Sequence, residues 1–214
     1  MKNPAAGQAI SLRNCAAVTD KKAIHIFQEL TKKQGDPDMK ITILPTTGIE
    51  FDGKRICLGS SAEEIKAVLG QPEDEYTEDD ITRLFYFESE LRFDIDKDGV
   101  LEFIEFLGFD GELRPVIYGT DVFETDADEV LDILTEKNGG DIIDEEDGYS
   151  YAFPDIGIGI TRDATPESID EMIAEYEEDG EEIDEEVLEF EKRRASHWAT
   201  IGLGSSEYYD FLSE

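Results

Sequence analysis

Basic residues are scarce in this chain. It has 19 Lys and Arg against 54 Asp and Glu, which gives a formal net charge of −35. Because a nucleic-acid-binding surface neutralises phosphates with Lys and Arg, this balance excludes nucleic acid as a partner. The same argument excludes an anionic membrane surface. Two interpretations of the acidity remain: it steers the protein toward a basic partner, or it serves only solubility or a salty habitat.

Cysteine and histidine are also rare. Two cysteines, Cys15 and Cys57, are too few for a disulfide framework. His25 and His197 are the only histidines, and neither has local support for a Ser–His–Asp or Cys–His arrangement. No glycine-rich phosphate loop is present. The many carboxylates do not single out a catalytic pair, so we predict that the protein is not an enzyme and has no cofactor or metal.

Long apolar runs are missing as well. The first ten residues lack the apolar core of a signal peptide, and no run reaches the length of a transmembrane helix. We therefore expect a cytoplasmic protein. Residues 1–38 carry a net charge of +2, whereas the remaining residues carry −37. We expect 1–38 to be a flexible extension, upstream of a true start at Met39, and 39–214 to form a single α+β domain.

Two stretches of the chain share one residue pattern. Residues 61–69 read Ser-Ala-Glu-Glu-Ile-Lys-Ala-Val-Leu, and residues 126–134 read Asp-Ala-Asp-Glu-Val-Leu-Asp-Ile-Leu. The same offset of 65 positions matches four later pairs: Tyr86 with Tyr151, Leu91 with Ile156, Phe93 with Ile158, and Ile95 with Ile160. A constant offset predicts two copies of one helix-then-strands unit. The alternative is coincidence between two acidic helices that each precede a strand.

Ser61 and Glu64 form the capping box that predicts the start of the first helix, and Asp126 is the predicted cap of the second. Ile156 to Ile160 is a predicted strand of the second copy.

The expected fold class is α+β. We predict two related helix-plus-antiparallel-strand repeats, 51–107 and 115–163, that share one sheet with helices on one side. An extra acidic helical pair is expected near the C-terminus. A closing strand after His197 would replace, in the second copy, the strand that begins at Val100 in the first. Gly157 and Gly159 leave one face of their strand without side chains, so we expect close packing there.

Residues 94–105 match the calcium loop of an EF-hand. Acidic residues occupy positions 1, 3 and 5, a glycine position 6 and a glutamate position 12, and these positions are Asp94, Asp96, Asp98, Gly99 and Glu105. The flanking sequence disagrees, because the apolar residues before the loop alternate as in a strand. A hairpin that turns through residues 96–99 explains the same residues more simply. We predict the hairpin, and calcium binding remains the alternative.

An acidic tract from Glu175 to Glu191 is the best candidate for a functional site. The functional interpretation is an electrostatic landing surface for a basic protein. The alternative is a solvated helix-loop-helix with no partner. The aromatic residues that follow the tract would supply anchors or belong to the core: Trp198, Tyr208, Tyr209 and Phe211. The predicted partner-binding residues are Glu177, Glu178, Asp179, Glu181, Glu182, Asp184, Glu185 and Glu186.

The stretch that begins at Gly59 carries a family resemblance. It reads Gly-Ser-Ser-Ala-Glu-Glu-Ile-Lys-Ala-Val-Leu-Gly-Gln-Pro, and Tyr86 and Leu-x-Phe-x-Ile-Asp-x-Asp-Gly follow it. This pattern resembles the repeat of the beta-lactamase-inhibitor-protein type and its outer-membrane assembly lipoprotein relatives. The resemblance covers residues 51–107 and, more loosely, 115–163. It implies a short helix on antiparallel strands. Those proteins have a signal peptide, a lipid-attachment cysteine or secreted disulfides, and from the sequence we expect none of these here.

In overall character the chain is similar to the cytoplasmic immunity proteins of bacterial polymorphic toxin systems. Those proteins are small, acidic α+β proteins that block a toxin domain, often a basic nuclease. The resemblance implies a non-catalytic inhibitory protein that neutralises a basic toxin domain. Two alternatives remain: a calcium-binding module through residues 94–105, and a soluble protein without a basic partner.

Overall fold

The computed structural model describes residues 39–108, 111–144, 146–205 and 207–209. The expectations for residues 1–38 lie outside these ranges. The described helices are α1 (Ala62–Leu69), α2 (Ala127–Asn138), α3 (Pro166–Asp179) and α4 (Glu185–Ser196). The strands are β1 (Met39–Leu44), β2 (Gly48–Phe51), β3 (Lys54–Cys57), β4 (Asp74–Glu78), β5 (Ile81–Tyr86), β6 (Leu91–Ile95), β7 (Leu101–Leu107), β8 (Leu113–Ile117), β9 (Thr120–Asp121), β10 (Ser150–Phe153), β11 (Ile158–Thr161) and β12 (Thr200–Gly204).

The strands form two sheets rather than the single sheet that the sequence predicted. The smaller sheet has the order β3-β2-β1-β8-β9, and the larger has the order β10-β11-β12-β7-β6-β5-β4. All strand pairs are antiparallel except β1 with β8, where Met39 lies beside Leu113. The fold is therefore α+β, as expected, with mostly antiparallel sheets.

The order of the larger sheet places the chain's two halves side by side. Strands β5, β6 and β7 follow α1, strands β10, β11 and β12 follow α2, and the two runs meet where β7 pairs with β12. Each helix is preceded by a short hairpin that belongs to the smaller sheet, β2–β3 before α1 and β8–β9 before α2. The closing strand predicted after His197 is β12.

One continuous core joins both sheets and the first two helices. Ile41 and Ile49 of the smaller sheet, Phe93 and Ile104 of the larger sheet, and Leu134 of α2 belong to the same buried cluster. Burying apolar side chains of this size is the main stabilising contribution of such a fold. Helices α3 and α4 pack on a separate small cluster, so they lie at the periphery of this core.

Local signals in the sequence explain where the helices begin. Ser61 and Glu64 form the predicted capping box, in which each side chain bonds a backbone N–H of the first turn of α1. Asp126 caps α2 as predicted. The second half departs from prediction at Ile156, because residues 154–156 form a short 3₁₀ turn and the strand begins at Ile158.

Candidate interaction surface

Helices α3 and α4 form a helical pair that presents acidic residues to solvent. Between residues 166 and 196 the chain has fourteen acidic and three basic residues. Ile169 of α3 and Ala195 of α4 are buried together, and Met172, Ile173 and Leu188 pack around them. This narrow apolar contact buries only one side of each helix, so the charged residues lie on the remaining faces.

All eight predicted partner-binding residues are exposed. Seven of them have no structural role in the described contacts, but Asp184 accepts hydrogen bonds from the backbone N–H groups of Glu186 and Val187 and caps α4. The main structural role of Asp184 is therefore to cap α4. The effect of its charge on partner binding can be tested only by a substitution that keeps the cap.

Two substitutions at Asp184 separate the cap from the charge. We expect Asp184→Ala to lower the free energy of unfolding by about 1 kcal/mol, because α4 loses its N-cap. We expect Asp184→Asn to leave the free energy of unfolding within about 0.5 kcal/mol of the parent, because Asn caps as well as Asp. Urea denaturation followed by circular dichroism measures both. Equal losses in the two variants would contradict the cap assignment.

Apolar side chains interrupt the acidic surface. Val187 and Phe190 of α4 are 48% and 50% exposed, and Tyr176 of α3 is 37% exposed. Val187 and Phe190 lie three residues apart, on the side of α4 away from Leu188 and Ala195. Sequence reasoning assigned Tyr176 to the apolar stripe of α3 and did not single out Val187 and Phe190. The signal was present, because α4 has a second apolar stripe that its packing on α3 does not use.

Three of the four aromatic residues named as possible anchors do not lie on this surface: Trp198, Tyr208 and Tyr209. Trp198 is fully buried and donates a hydrogen bond from Nε1 to the Ala127 carbonyl at 2.9 Å. Tyr209 is 7% exposed and packs against the larger sheet. Phe211 lies outside the described residues. Trp198 and Tyr209 therefore belong to the interior, and the exposed aromatic residues of α3 and α4 are Tyr176 and Phe190.

Residues 94–105 form the predicted hairpin and not a helix-loop-helix. Strands β6 and β7 flank the turn, and Asp96 Oδ1 accepts hydrogen bonds from the backbone N–H groups of Asp98 and Val100. The carboxylate at the third loop position thus stabilises the turn. Within the described ranges no group of three or more His, Cys, Asp or Glu residues is arranged to hold a metal ion.

The first and last acidic residues of that motif belong to an ion-pair network on the sheet. Arg92 Nε lies 2.9 Å from Asp94 Oδ1, and Arg92 Nη1 lies 2.8 Å from Glu105 Oε2. Arg83 Nε lies 3.8 Å from Asp94 Oδ2. Burial raises the pKa of Asp94, and the neighbouring guanidinium groups of Arg92 and Arg83 only partly oppose this rise. Burial raises the pKa of Glu105 in the same way.

On the face of the larger sheet that carries Glu105, two paired glycines form a patch without Cβ atoms. Gly159 and Gly202 are called the glycine floor. Gly159 of β11 pairs with Gly202 of β12, and Gly202 pairs with Glu105 of β7. A Cβ atom at Gly202 would lie 2.4 Å from Phe103 Cζ, and one at Gly159 would lie 2.6 Å from Tyr209 Oη. Only glycine lets these two rings lie so close to the backbone. The close packing predicted around Gly159 is therefore provided by Tyr209.

Tyr208 and Tyr209 cover this floor together with Phe103. The rings of Tyr208 and Phe103 are stacked with centroids 4.5 Å apart, and Tyr209 meets Tyr208 edge to face at 5.1 Å. Burial and nearby carboxylates raise the pKa of Tyr208 to about 12. Tyr209 Oη is buried and has no hydrogen-bond partner among the described residues. An unpartnered buried hydroxyl costs about 1–3 kcal/mol.

Compared with known proteins, the chain matches no family model, no curated protein and no solved structure. Across the described residues, no helix combines the length and the apolar character needed to cross a membrane. What the molecule does must therefore be inferred from its own surfaces.

Proposed function

We propose that this protein is a non-catalytic, cytoplasmic binding protein that recognises a basic protein partner through helices α3 and α4, as an immunity protein does when it neutralises a basic toxin domain. The observation that carries the proposal is the combination of charge and apolar exposure on this helical pair. A surface that served solubility alone has no need of Tyr176, Val187 and Phe190 among its carboxylates.

Charge gives the surface its long-range attraction. The exposed carboxylates of α3 and α4 stand on a protein whose net charge is already −35, so their field adds to that of the whole molecule. Such a field raises the association rate with a basic protein and suppresses encounters with acidic ones. The field also predicts that salt strongly weakens association with the partner, because screening acts over about 10 Å at 0.1 M ionic strength.

Apolar side chains supply the short-range contact that charge lacks. Interfaces owe most of their binding energy to a few desolvated anchors, in which aromatic residues are enriched. Tyr176 lies in the last turn of α3 and Val187 in the first turn of α4, so both lie near the loop that joins the helices. Phe190 follows one turn later. We infer that these three residues form the centre of the contact and that the acidic residues form its rim.

We also infer that the larger sheet arose by duplication of one unit. Its mirrored order, with α1 leading to β5–β7 and α2 leading to β10–β12, supports this inference. The offset of 65 residues superposes Phe93 on Ile158 and Ile95 on Ile160, and all four are buried in the common core. The resemblance to the beta-lactamase-inhibitor-protein repeat rests on the same unit and stays a proposal.

The test measures association with the partner that the wild-type protein captures from the organism that encodes it at low salt. We expect substitution of Glu181, Glu182, Glu185 and Glu186 by Gln to lower the association rate constant about tenfold with little change in the dissociation rate constant. We expect Phe190→Ala to raise the dissociation rate constant instead, because it removes an anchor. Surface plasmon resonance at several salt concentrations measures both constants.

A matched control changes the same amount of charge elsewhere. Substitution of four exposed glutamates outside the helical pair by Gln should alter the association rate constant by less than about twofold; these are Glu63, Glu112, Glu129 and Glu136. Equal slowing by the two fourfold variants would show that net charge alone, and not the surface of α3 and α4, governs the association. An unchanged association rate constant in the first variant would contradict the proposed surface.

A further inference from the structure

A cavity of about 220 Å³ opens beside the glycine floor of the larger sheet. Its apolar lining comes from Phe103, Ile143, Tyr151, Ala152 and Tyr209. The volume lies below the range typical of pockets for drug-sized ligands. It suits one small group, such as a single amino-acid side chain.

The polar lining of the cavity is acidic or neutral. It consists of the carboxylates of Glu105 and Glu146 and of hydroxyl groups from Ser150, Thr161 and Thr200. None of the described residues that line the cavity is Lys, Arg or His. Arg92 pairs with one oxygen of Glu105 but does not line the cavity, so an anion would meet two carboxylates there, whereas a cation would meet acceptors.

Tyr209 gives an independent sign that the cavity is built for a ligand. Its side chain is more than nine-tenths buried, and its hydroxyl lies over Gly159, which also lines the cavity. Within the described ranges this hydroxyl has no hydrogen-bond partner. Buried polar groups in folded proteins almost always have one. Because burial, Tyr208 and Glu105 raise the pKa of Tyr209, the hydroxyl stays protonated and offers a neutral oxygen as acceptor.

We propose that this cavity binds an ammonium or guanidinium group carried on a short alkyl chain. The alkyl chain packs against Phe103, Ile143 and Ala152, and the cationic N–H groups donate to Glu105 and to Tyr209 Oη. The side chain of Lys or Arg has this chemistry, and so has a free alkylamine or alkylguanidine. Where the source is a protein, the inference rests on the proposed function and adds a pocket for one basic side chain of the partner.

The test uses the full-length protein and four probes of similar length: n-butylguanidinium, n-butylammonium, pentanoate and butan-1-ol. Nuclear magnetic resonance follows the backbone amides of Gly159 and Gly202, which report on the floor of the cavity. We expect both cations to shift these amides saturably and the other two probes to leave them unchanged. Shifts confined to residues 166–196 would overturn the proposal, because they would show only attraction to the acidic helices.

Tyr209→Phe is the decisive variant, because it removes the hydroxyl and keeps the ring. We expect it to weaken binding of n-butylguanidinium by about fivefold or more, and Glu105→Gln by about tenfold or more. The matched control Tyr118→Phe removes an exposed hydroxyl from the turn between β8 and β9 and should leave binding unchanged. Equal affinity for the parent protein and Tyr209→Phe would overturn the proposal.

A second measurement on Tyr209→Phe requires no ligand. Without probe, its melting temperature should equal or exceed that of the parent, because the substitution removes an unpartnered buried polar atom. A clearly lower melting temperature would mean that the hydroxyl already has a permanent partner, such as a buried water molecule, and would overturn the proposal.

The source of the cation is decided with acetylated and amidated Gly-Arg-Gly and Gly-Lys-Gly. Peptides that bind at least as tightly as n-butylguanidinium indicate a protein side chain, whereas binding of the free cation alone indicates a small molecule. Both results support the cavity as a cation site. If no cation binds while the α3–α4 variants still slow association with the partner, this inference fails and the proposed function stands.

Discussion

Replacement of Trp198 by Ala is expected to lower the free energy of unfolding by about 3–5 kcal/mol, the range seen when a fully buried large aromatic side chain is deleted. Trp198 connects parts of the chain that are distant in sequence. It donates to the Ala127 carbonyl at the start of α2, its ring meets Tyr151 edge to face at 5.8 Å, and the guanidinium carbon of Arg162 lies 5.1 Å from its centroid. The substitution leaves a cavity where α2, β10 and the end of α4 meet.

The loss extends to the residues that Trp198 holds in place. Arg162 donates to the carbonyls of Gly148 and Ala195, and its guanidinium lies over the indole ring. Without the ring this guanidinium gains space and water, so the end of α4 becomes less firmly attached. Because most small single domains have only about 5–15 kcal/mol of stability, a loss of this size brings the protein close to unfolding at room temperature.

Chemical denaturation followed by far-ultraviolet circular dichroism measures the effect. Tryptophan fluorescence cannot follow the variant, because Trp198 is the only tryptophan. Trp198→Phe should lose less, about 1–2 kcal/mol, since it removes the indole N–H and part of the volume. Phe190→Ala, a deletion at a half-exposed position, should cost no more than about 0.5 kcal/mol. A loss below about 1 kcal/mol for Trp198→Ala would contradict a core role for this residue.

Sequence reasoning succeeded where a short segment carries its own signal. Ser61 with Glu64 predicted the start of α1, and the alternation from Leu91 to Ile95 predicted β6 despite the match to a calcium loop. These signals concern residues within one or two turns of each other, where backbone geometry and side-chain spacing decide the structure.

It failed where a strand is defined only by a distant partner. Strand β8 pairs in parallel with β1 across some seventy residues, and Pro115 in its middle argues against a strand locally. The smaller sheet was missed for this reason, and with it the fact that each half of the chain contributes to both sheets. Strand β4 of the larger sheet was missed for a different reason: all five of its residues are exposed, so no alternation of apolar residues identifies it.

The candidate interaction surface was likewise predicted only in part from the sequence. The acidic tract could be located from composition, because charge on a peripheral helix stays exposed. Which aromatic residues accompany it could not be predicted, because Trp198, Tyr176 and Phe190 differ in environment only after the helices have packed. Nor did spacing indicate that Tyr209 would lie over Gly159, fifty residues earlier in the chain.

The ion-pair network of the larger sheet makes stability depend on pH. Burial raises the pKa of Asp94 and of Glu105 above their ordinary values of 3.8 and 4.5. The native state therefore binds more protons than the unfolded state at these two sites as the pH rises above those values. The free energy of unfolding falls in that interval, down to the point where both carboxyl groups have ionised in the native state. We expect the parent protein to be more stable near about pH 5 than at pH 7.

Arg92→Met is expected to lower the free energy of unfolding and to make this free energy depend more strongly on pH. Arg92 contacts Asp94 at 2.9 Å and Glu105 at 2.8 Å, whereas Arg83 lies 3.8 Å from Asp94. Removing one partner of a buried ion pair costs about 3–5 kcal/mol, because the remaining charges are left uncompensated. We expect this loss at pH 7 and a much smaller loss near about pH 4, where the carboxyl groups take up protons.

Urea denaturation at constant ionic strength across this pH range measures the effect, with Arg55→Met as the matched control. Arg55 pairs with Glu50 at the surface, where both side chains are well exposed, so its removal should cost less than about 1 kcal/mol at every pH. Adding Asp94→Asn to Arg92→Met should recover part of the loss at pH 7, because an amide carries no charge to bury. If Arg92→Met lost the same stability at pH 4 as at pH 7, the loss would come from packing of the Arg92 side chain and not from uncompensated carboxylates.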